Sequence, residues 1–354
     1  MTGRIIRREA CCLDSDVQQK LNTDLPVFLR PDWYDMFDRF VRQSDGNTVS
    51  LCLRDDAGSG GYLPLYEAKG GLTRCLYSLT NFYSPAFDLV GVENPRREDY
   101  EHFVRRFRRY FARFELIDFS PLTEQQAEAW RHAFATIGFQ GFVYRKSTNW
   151  YHDGVTDLAG YWEARPSRLR NTFKRKAEKL RKSGGFEVGV VAPGSEIALW
   201  EYLAHYHRVY YSSWKRAEPY PAFIDAIAEY AWKLGELRMG MAYHEGEPVA
   251  GQIWFVCGRK AYIFKLAHRP EYSKYSVGTI LSKAMFDHVI DVDRVEYIDF
   301  LTGDDGYKAD WMNGRRGLFG IQLCNSRTLG GAAYAARNVV SGWYKRLSRV
   351  EARA

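Results

Sequence analysis

Two short segments, Glu115-Leu116-Ile117-Asp118-Phe119 and Glu296-Tyr297-Ile298-Asp299-Phe300, agree at four of five positions. Apolar strands resemble one another, so the match gains weight only from its surroundings. In the first half, Pro31 opens a helix with Trp33, Met36, Phe37, Phe40 and Val41 at helical spacing. Strand patterns at 48–53, 61–66 and 72–79 follow, then a basic amphipathic helix over 97–113, a strand over 114–119, a helix over 124–136 and a strand over 139–144. In the second half, strands at 237–243, 249–257 and 261–268 precede a helix at 276–290, a strand at 295–300, a short helix at 307–311 and a strand at 317–323. Both halves read as a β-meander, helix, strand, helix, strand. This order predicts a duplicated α/β fold, each half a mixed central sheet flanked by helices, with domains at 1–155 and 156–354.

Helices at 165–182, 197–213 and 223–234 precede the second meander, and a last helix spans 332–347. The first of these carries nine Lys/Arg among 18 residues, with Leu169, Phe173, Ala177 and Leu180 forming one apolar stripe. Its basic face either docks an anionic partner or is simply solvated; Arg170 lies off the stripe and could reach a cleft.

At 354 residues, 46% hydrophobic and 26% charged, the chain can bury two ordinary cores. No apolar run of about 18 residues occurs, and the first residues are charged where a secretory signal needs an apolar centre, so a cytoplasmic, non-integral protein is expected. The six cysteines are scattered without metal spacing and are expected to be reduced, and no metal site is indicated among the eight histidines. A net charge of +7 suits phosphorylated or otherwise anionic partners.

The most informative stretch runs from Leu266 to Leu281: a strand ends, a loop of small and hydroxyl residues follows, and a helix begins. A helix N-terminus there would offer unpaired N–H groups and a positive dipole end to a phosphate or pyrophosphate. Residues 270–278 resemble the acyl-CoA pyrophosphate loop of GNAT N-acetyltransferases, with Gly278 at the last position of the pattern and departures at Ser273 and Ser276. A second stretch, Asp299 to Trp311 with its Gly-Asp and Tyr-Lys pairs, resembles the signature of the CelD-like branch of that superfamily, whose tandem architecture is similar to Fem-type transferases.

The resemblance implies tandem GNAT-like domains, the first a degenerate copy, and direct attack of an amine on an acyl thioester. It implies acyl-CoA as co-substrate, held by Ser273, Lys274, Tyr275, Ser276, Val277, Gly278, Thr279 and Lys308. Asp304, Tyr307 and His268 are the candidate proton-transfer groups; Asp304 reads equally as a turn cap, Tyr307 as a core tyrosine and His268 as a structural histidine. Tyr211, Trp214, Asp299 and Arg170 are the candidate acceptor-site residues. The acceptor would be a small-molecule or saccharide amine, with an acyl carrier protein as an alternative donor; nucleic acid is not expected, and the oligomeric state stays open. The competing readings are a Fem-type aminoacyl-tRNA-dependent transferase and a non-catalytic GNAT-like binding protein.

Overall fold

The computed structural model describes residues 2–7, 25–42, 46–54, 60–69, 73–194 and 199–351. Its elements follow in order as β1 Thr2–Arg7, α1 Pro31–Phe40, β2 Gly46–Arg54, β3 Gly60–Ala68, β4 Cys75–Ser78, α2 Arg97–Arg106, α3 Arg108–Phe111, β5 Leu116–Leu122, α4 Glu124–Ala135 and β6 Phe139–Asp153. Then come α5 Leu158–Glu163, α6 Ser167–Ser183, β7 Phe186–Val191, α7 Leu199–Tyr211, α8 Pro221–Lys233, β8 Leu237–His244, β9 Glu247–Cys257 and β10 Lys260–His268. The last are α9 Val277–Asp291, β11 Tyr297–Thr302, β12 Gly314–Asn325 and α10 Leu329–Glu351.

The chain divides into two compact units, Met1–Ser147 with Gly317–Ala354, and Thr148–Arg316. The expected boundary at 155/156 therefore differs in two respects: it falls after Ser147, and the segment from Gly317 onward groups with the first half. The reason is strand pairing. In unit 1, β1 to β4 form an antiparallel meander, β4 pairs β5 in parallel, and β12 pairs β5 antiparallel. In unit 2, β7 to β10 form the meander, β10 pairs β11 in parallel, and β6 pairs β11 antiparallel. Each meander is completed by a strand segment from the other half of the sequence.

The cores follow from alternation in strands and 3.6-residue stripes in helices. In unit 1, Trp130 of α4 is fully buried, with its ring 4.7 Å from Tyr100 and 5.1 Å from Phe119. Thr123 and Gln126 cap that helix reciprocally. The expected helix over 97–113 is broken at Phe107, whose φ of −98° and ψ of 17° separate α2 from α3. In unit 2, α9 lies on β8 so closely that a Cβ on Gly240 would stand 2.6 Å from the Met285 sulfur. Cys75, Cys257 and Cys324 are reduced. Cys52 is disulfide-bonded, contrary to expectation, and Cys11 and Cys12 lie outside the described residues. Among the described residues no helix is long and apolar enough to cross a membrane.

The repeated aspartates take parallel roles. Asp118 accepts hydrogen bonds from the Tyr144 hydroxyl at 2.7 Å and from Gln322 Nε2 at 3.1 Å. Asp299 accepts from Asn149 Nδ2 at 2.5 Å, the Leu301 N–H at 2.6 Å, the Tyr297 hydroxyl at 2.9 Å and Arg316 at 3.2 Å. Burial raises both carboxyls above the ordinary range against the opposing pull of these bonds. Removing either acceptor strands buried donors, so Asp118→Ala and Asp299→Ala are each expected to cost about 2–4 kcal/mol in urea unfolding. A loss below about 1 kcal/mol would show that the donors find other partners.

Candidate functional site

β10 and β11 pair only from Lys260↔Tyr297 to Tyr262↔Asp299, although both strands continue. Each is irregular just beyond that point. β10 has a register shift against β9 between Ile263 and Lys265, and β11 has one against β6 between Asp299 and Thr302. In β11, Leu301 has a φ of 56°, uncommon for a branched side chain, and is held by its N–H bond to Asp299 and by Asn149 donating to its carbonyl at 2.8 Å. Bulges bend strands and re-aim side chains. The two strands thus end at separate loops, past the carboxyl ends where α/β sheets place ligand sites.

The β10 loop carries the expected donor residues. Pro270–Tyr275 forms a 3-10 turn, Ser276 adopts a left-handed φ of 54°, and α9 starts at Val277 with no side-chain cap. The N–H groups of the first turn therefore stay available to an anion. Val277 is fully buried, so it has only its backbone to offer. A Cβ on Gly278 would stand 3.3 Å from His268 Nδ1, a close approach that favours glycine. The Ser273 hydroxyl meets His268 Nε2 at 3.2 Å.

Helix α6 brackets both loops. Lys176 donates to the Lys274 carbonyl at 2.5 Å, and the Lys179 ammonium lies 5.0 Å from the Tyr275 ring. A hydrogen bond to Ser183, then the nearby lysines, lower the Tyr275 hydroxyl pKa. Arg168 makes a two-pronged pair with Asp310 at 2.7 to 3.1 Å, next to the Gly306–Asp310 turn. Arg170 is exposed on this helix.

Three expected site residues are occupied otherwise. Asp299 was expected to touch substrate, but it is 4% exposed and its recorded bonds are internal to unit 2. Lys308 was expected to face a cofactor phosphate. It is buried, and its ammonium donates to the Thr302 and Gly303 carbonyls at 3.1 and 3.3 Å and pairs with Asp305 at 3.2 Å. It clamps the turn where Gly303, at φ 117°, leaves room that a Cβ would take within 2.9 Å of that ammonium. Asp304 accepts from Arg315 at 2.5 Å and from the Trp150 indole at 2.9 Å.

His268 and Tyr307 have their equilibria shifted in opposite directions. Burial, then the charge of Lys215, lowers the His268 pKa, so the ring is neutral at neutral pH. The exposed Trp214 stacks on it at 4.5 Å. Burial, then Asp305, raises the Tyr307 hydroxyl pKa, yet the residue is 45% exposed. Tyr211 is exposed and stacks on His207 at 6.1 Å.

The structure adds a group that the sequence reading missed. Lys265, next to the β10 irregularity, pairs with the buried Glu218 at 2.5 Å. Burial, then Glu218, pushes the Tyr210 hydroxyl up to about 12. Among the described residues Lys215 has no acidic hydrogen-bond partner; its ammonium lies 5.9 Å from the Tyr210 and Trp214 ring centres. Burial, then Lys265, pushes it down to about 8. A lysine inside the apolar run Tyr262-Ile263-Phe264-Lys265-Leu266-Ala267 was the available signal.

Residues 167–309 match a family described as an acetyltransferase (GNAT) domain. Among solved structures, FemX is similar over 96% of this chain and 100% of its own at 9% identity, with a TM-score of 0.65. L-PGS from Bacillus licheniformis is similar over 93% and 97% at 12% identity, with a TM-score of 0.51. A conserved protein of unknown function from Bacteroides thetaiotaomicron is similar over 91% and 100% at 12% identity, with a TM-score of 0.52. These likenesses are of fold. No curated protein sequence matches the chain. Residues 167–309 thus match a GNAT acetyltransferase domain, within a chain whose fold is similar to that of FemX.

Proposed function

We propose that the chain transfers an acyl group from acyl-CoA, or a related acyl thioester, to an amine by direct attack, with the donor held in unit 2. The observation that carries this reading is the uncapped N-terminus of α9, set after the Pro270–Tyr275 turn where β10 leaves β11. Residues 273–279 fit a pyrophosphate through backbone N–H groups and hydroxyls, with Lys274 adding charge. The thioester would supply the electrophilic carbonyl. His268, neutral and at the strand end, takes the proton from the attacking ammonium, and Tyr307 keeps its proton for the departing thiolate. Beyond Tyr262, the β10 edge freed from β11 offers N–H groups to the developing oxyanion. The acceptor is a small or saccharide-linked amine.

A polyanionic carrier of the acyl group is the second reading. Arg170, Lys174 and Arg175 are exposed on α6 without an acidic partner, on the helix that touches the donor loop. An acyl carrier protein or an aminoacyl-tRNA would use that face.

Acetyl-CoA, longer acyl-CoAs and free CoA are expected to raise the thermal midpoint of the wild type and to leave Gly278→Trp unmoved, because a ligand of the folded state alone must stabilise it. No rise with any CoA species would remove the CoA reading, and RNA binding with a steep salt dependence would then favour aminoacyl-tRNA. In turnover, His268→Gln is expected to lower kcat by about a hundredfold. Wild-type activity should rise with pH as His268 deprotonates, with its midpoint below the ordinary histidine value of 6.5. An unchanged profile in the variant would assign the base elsewhere.

A further inference from the structure

The lysines at the mouth of unit 2 do not balance. Lys265 has Glu218, at 2.5 Å, and Lys308 has Asp305, at 3.2 Å. Lys215 feels both carboxylates from a distance, and it also feels Lys265 and Lys308, but no carboxylate meets its ammonium. The Tyr210 and Trp214 ring centres lie 5.9 Å from it, and Trp214 in turn packs against His268. A half-buried ammonium without a counter-charge is costly unless something else completes it. The charges that act on Lys215 are two cations, Lys265 and Lys308, and two anions, Glu218 and Asp305, so its own ammonium is the surplus that one negative charge completes, and a dianion would leave a surplus beside Glu218.

We propose that Lys215, walled by Tyr210 and Trp214, forms a subsite for a carboxylate carried by the acceptor amine. This rests on the acyltransferase reading for the word acceptor, and on Lys215 and its neighbours for the carboxylate. The acceptor class is then an amine that also bears a carboxylate, such as an amino acid or an amino sugar acid. The nearby His268 would take the proton from the amine of the same molecule. The aromatic walls suit the carbon skeleton between the two groups.

The test uses the full chain, its lysines reductively methylated with isotope-labelled formaldehyde, and assigns the Lys215 signal by its loss in Lys215→Met. The signal is titrated with pH in acetate, inorganic phosphate or chloride at equal ionic strength. In chloride the midpoint is expected near 8. Acetate should raise it, and more than phosphate does, because a bound anion favours the charged ammonium. Equal midpoints in all three salts would overturn the subsite, and a larger shift in phosphate would overturn its assignment to a carboxylate.

The second readout compares an amine bearing a carboxylate with its uncharged analogue as acceptors. Lys215→Met should erase a preference of about tenfold or more, carried in KM, as expected for loss of one charged hydrogen bond. Lys215→Arg should retain part of it. A preference that survives Lys215→Met would overturn the proposal. The acetate titration needs no turnover and the CoA-dependent midpoint needs no acceptor, so failure of the subsite and failure of the acyltransferase reading remain distinct.

Discussion

The site in unit 2 depends on one limit: β10 and β11 hold together for three residue pairs and no further. Continued pairing would fill the space between them with backbone hydrogen bonds. Two irregularities prevent it, one beside Lys265 on β10 and one around Leu301 on β11. The second is locked by Asp299, which accepts the Leu301 N–H while Asn149 holds the Leu301 carbonyl. A left-handed leucine persists only where its surroundings over-determine it, and here a buried carboxylate supplies that determination. Asp299 therefore shapes the backbone at the end of β11.

The same region shows how charge is allotted. Asp304 is neutralised by Arg315, Lys308 by carbonyls and Asp305, and Lys265 by Glu218. Each of these groups shapes the turns or the strand edge. What remains chemically open is smaller: the α9 backbone, a neutral His268, the Tyr307 hydroxyl and the Lys215 ammonium. Burial moves the Lys215 and His268 equilibria toward neutral forms, and it does the same to Lys265 and Lys308 against the pull of their carboxylate partners.

Much of this architecture was legible in the sequence because periodicity and turn chemistry act locally. The second meander, the helix after the loop and the duplicated Asp-Phe strands all lie within a few residues of their expected places. The helix start at Val277 was legible because a turn that opens a helix is a local pattern. Functions assigned to Asp299, Lys308 and Asp304 were less legible, since their partners Asn149, Thr302 and Arg315 are chosen by tertiary packing. The pairing of Lys265 with Glu218 spans 47 positions, and no spacing rule connects them. β7, with exposure alternating along Phe186–Val191, escaped notice because it is short and glycine-interrupted.

The exchange of completing strands bears on how such a chain is made. Gln322 and Asp118, which join β12 to β5, stand 204 positions apart. Domains emerging from the ribosome tend to fold in order, the N-terminal one first. Here β5 keeps an unsatisfied edge until residue 317 and its successors have been synthesised, while β6, already present, waits for β11. Neither half can finish its sheet alone during translation, so the two sheets close late and nearly together. An exposed strand edge invites wrong partners in the interval, which places the nascent chain, rather than the finished protein, at greatest risk of self-association.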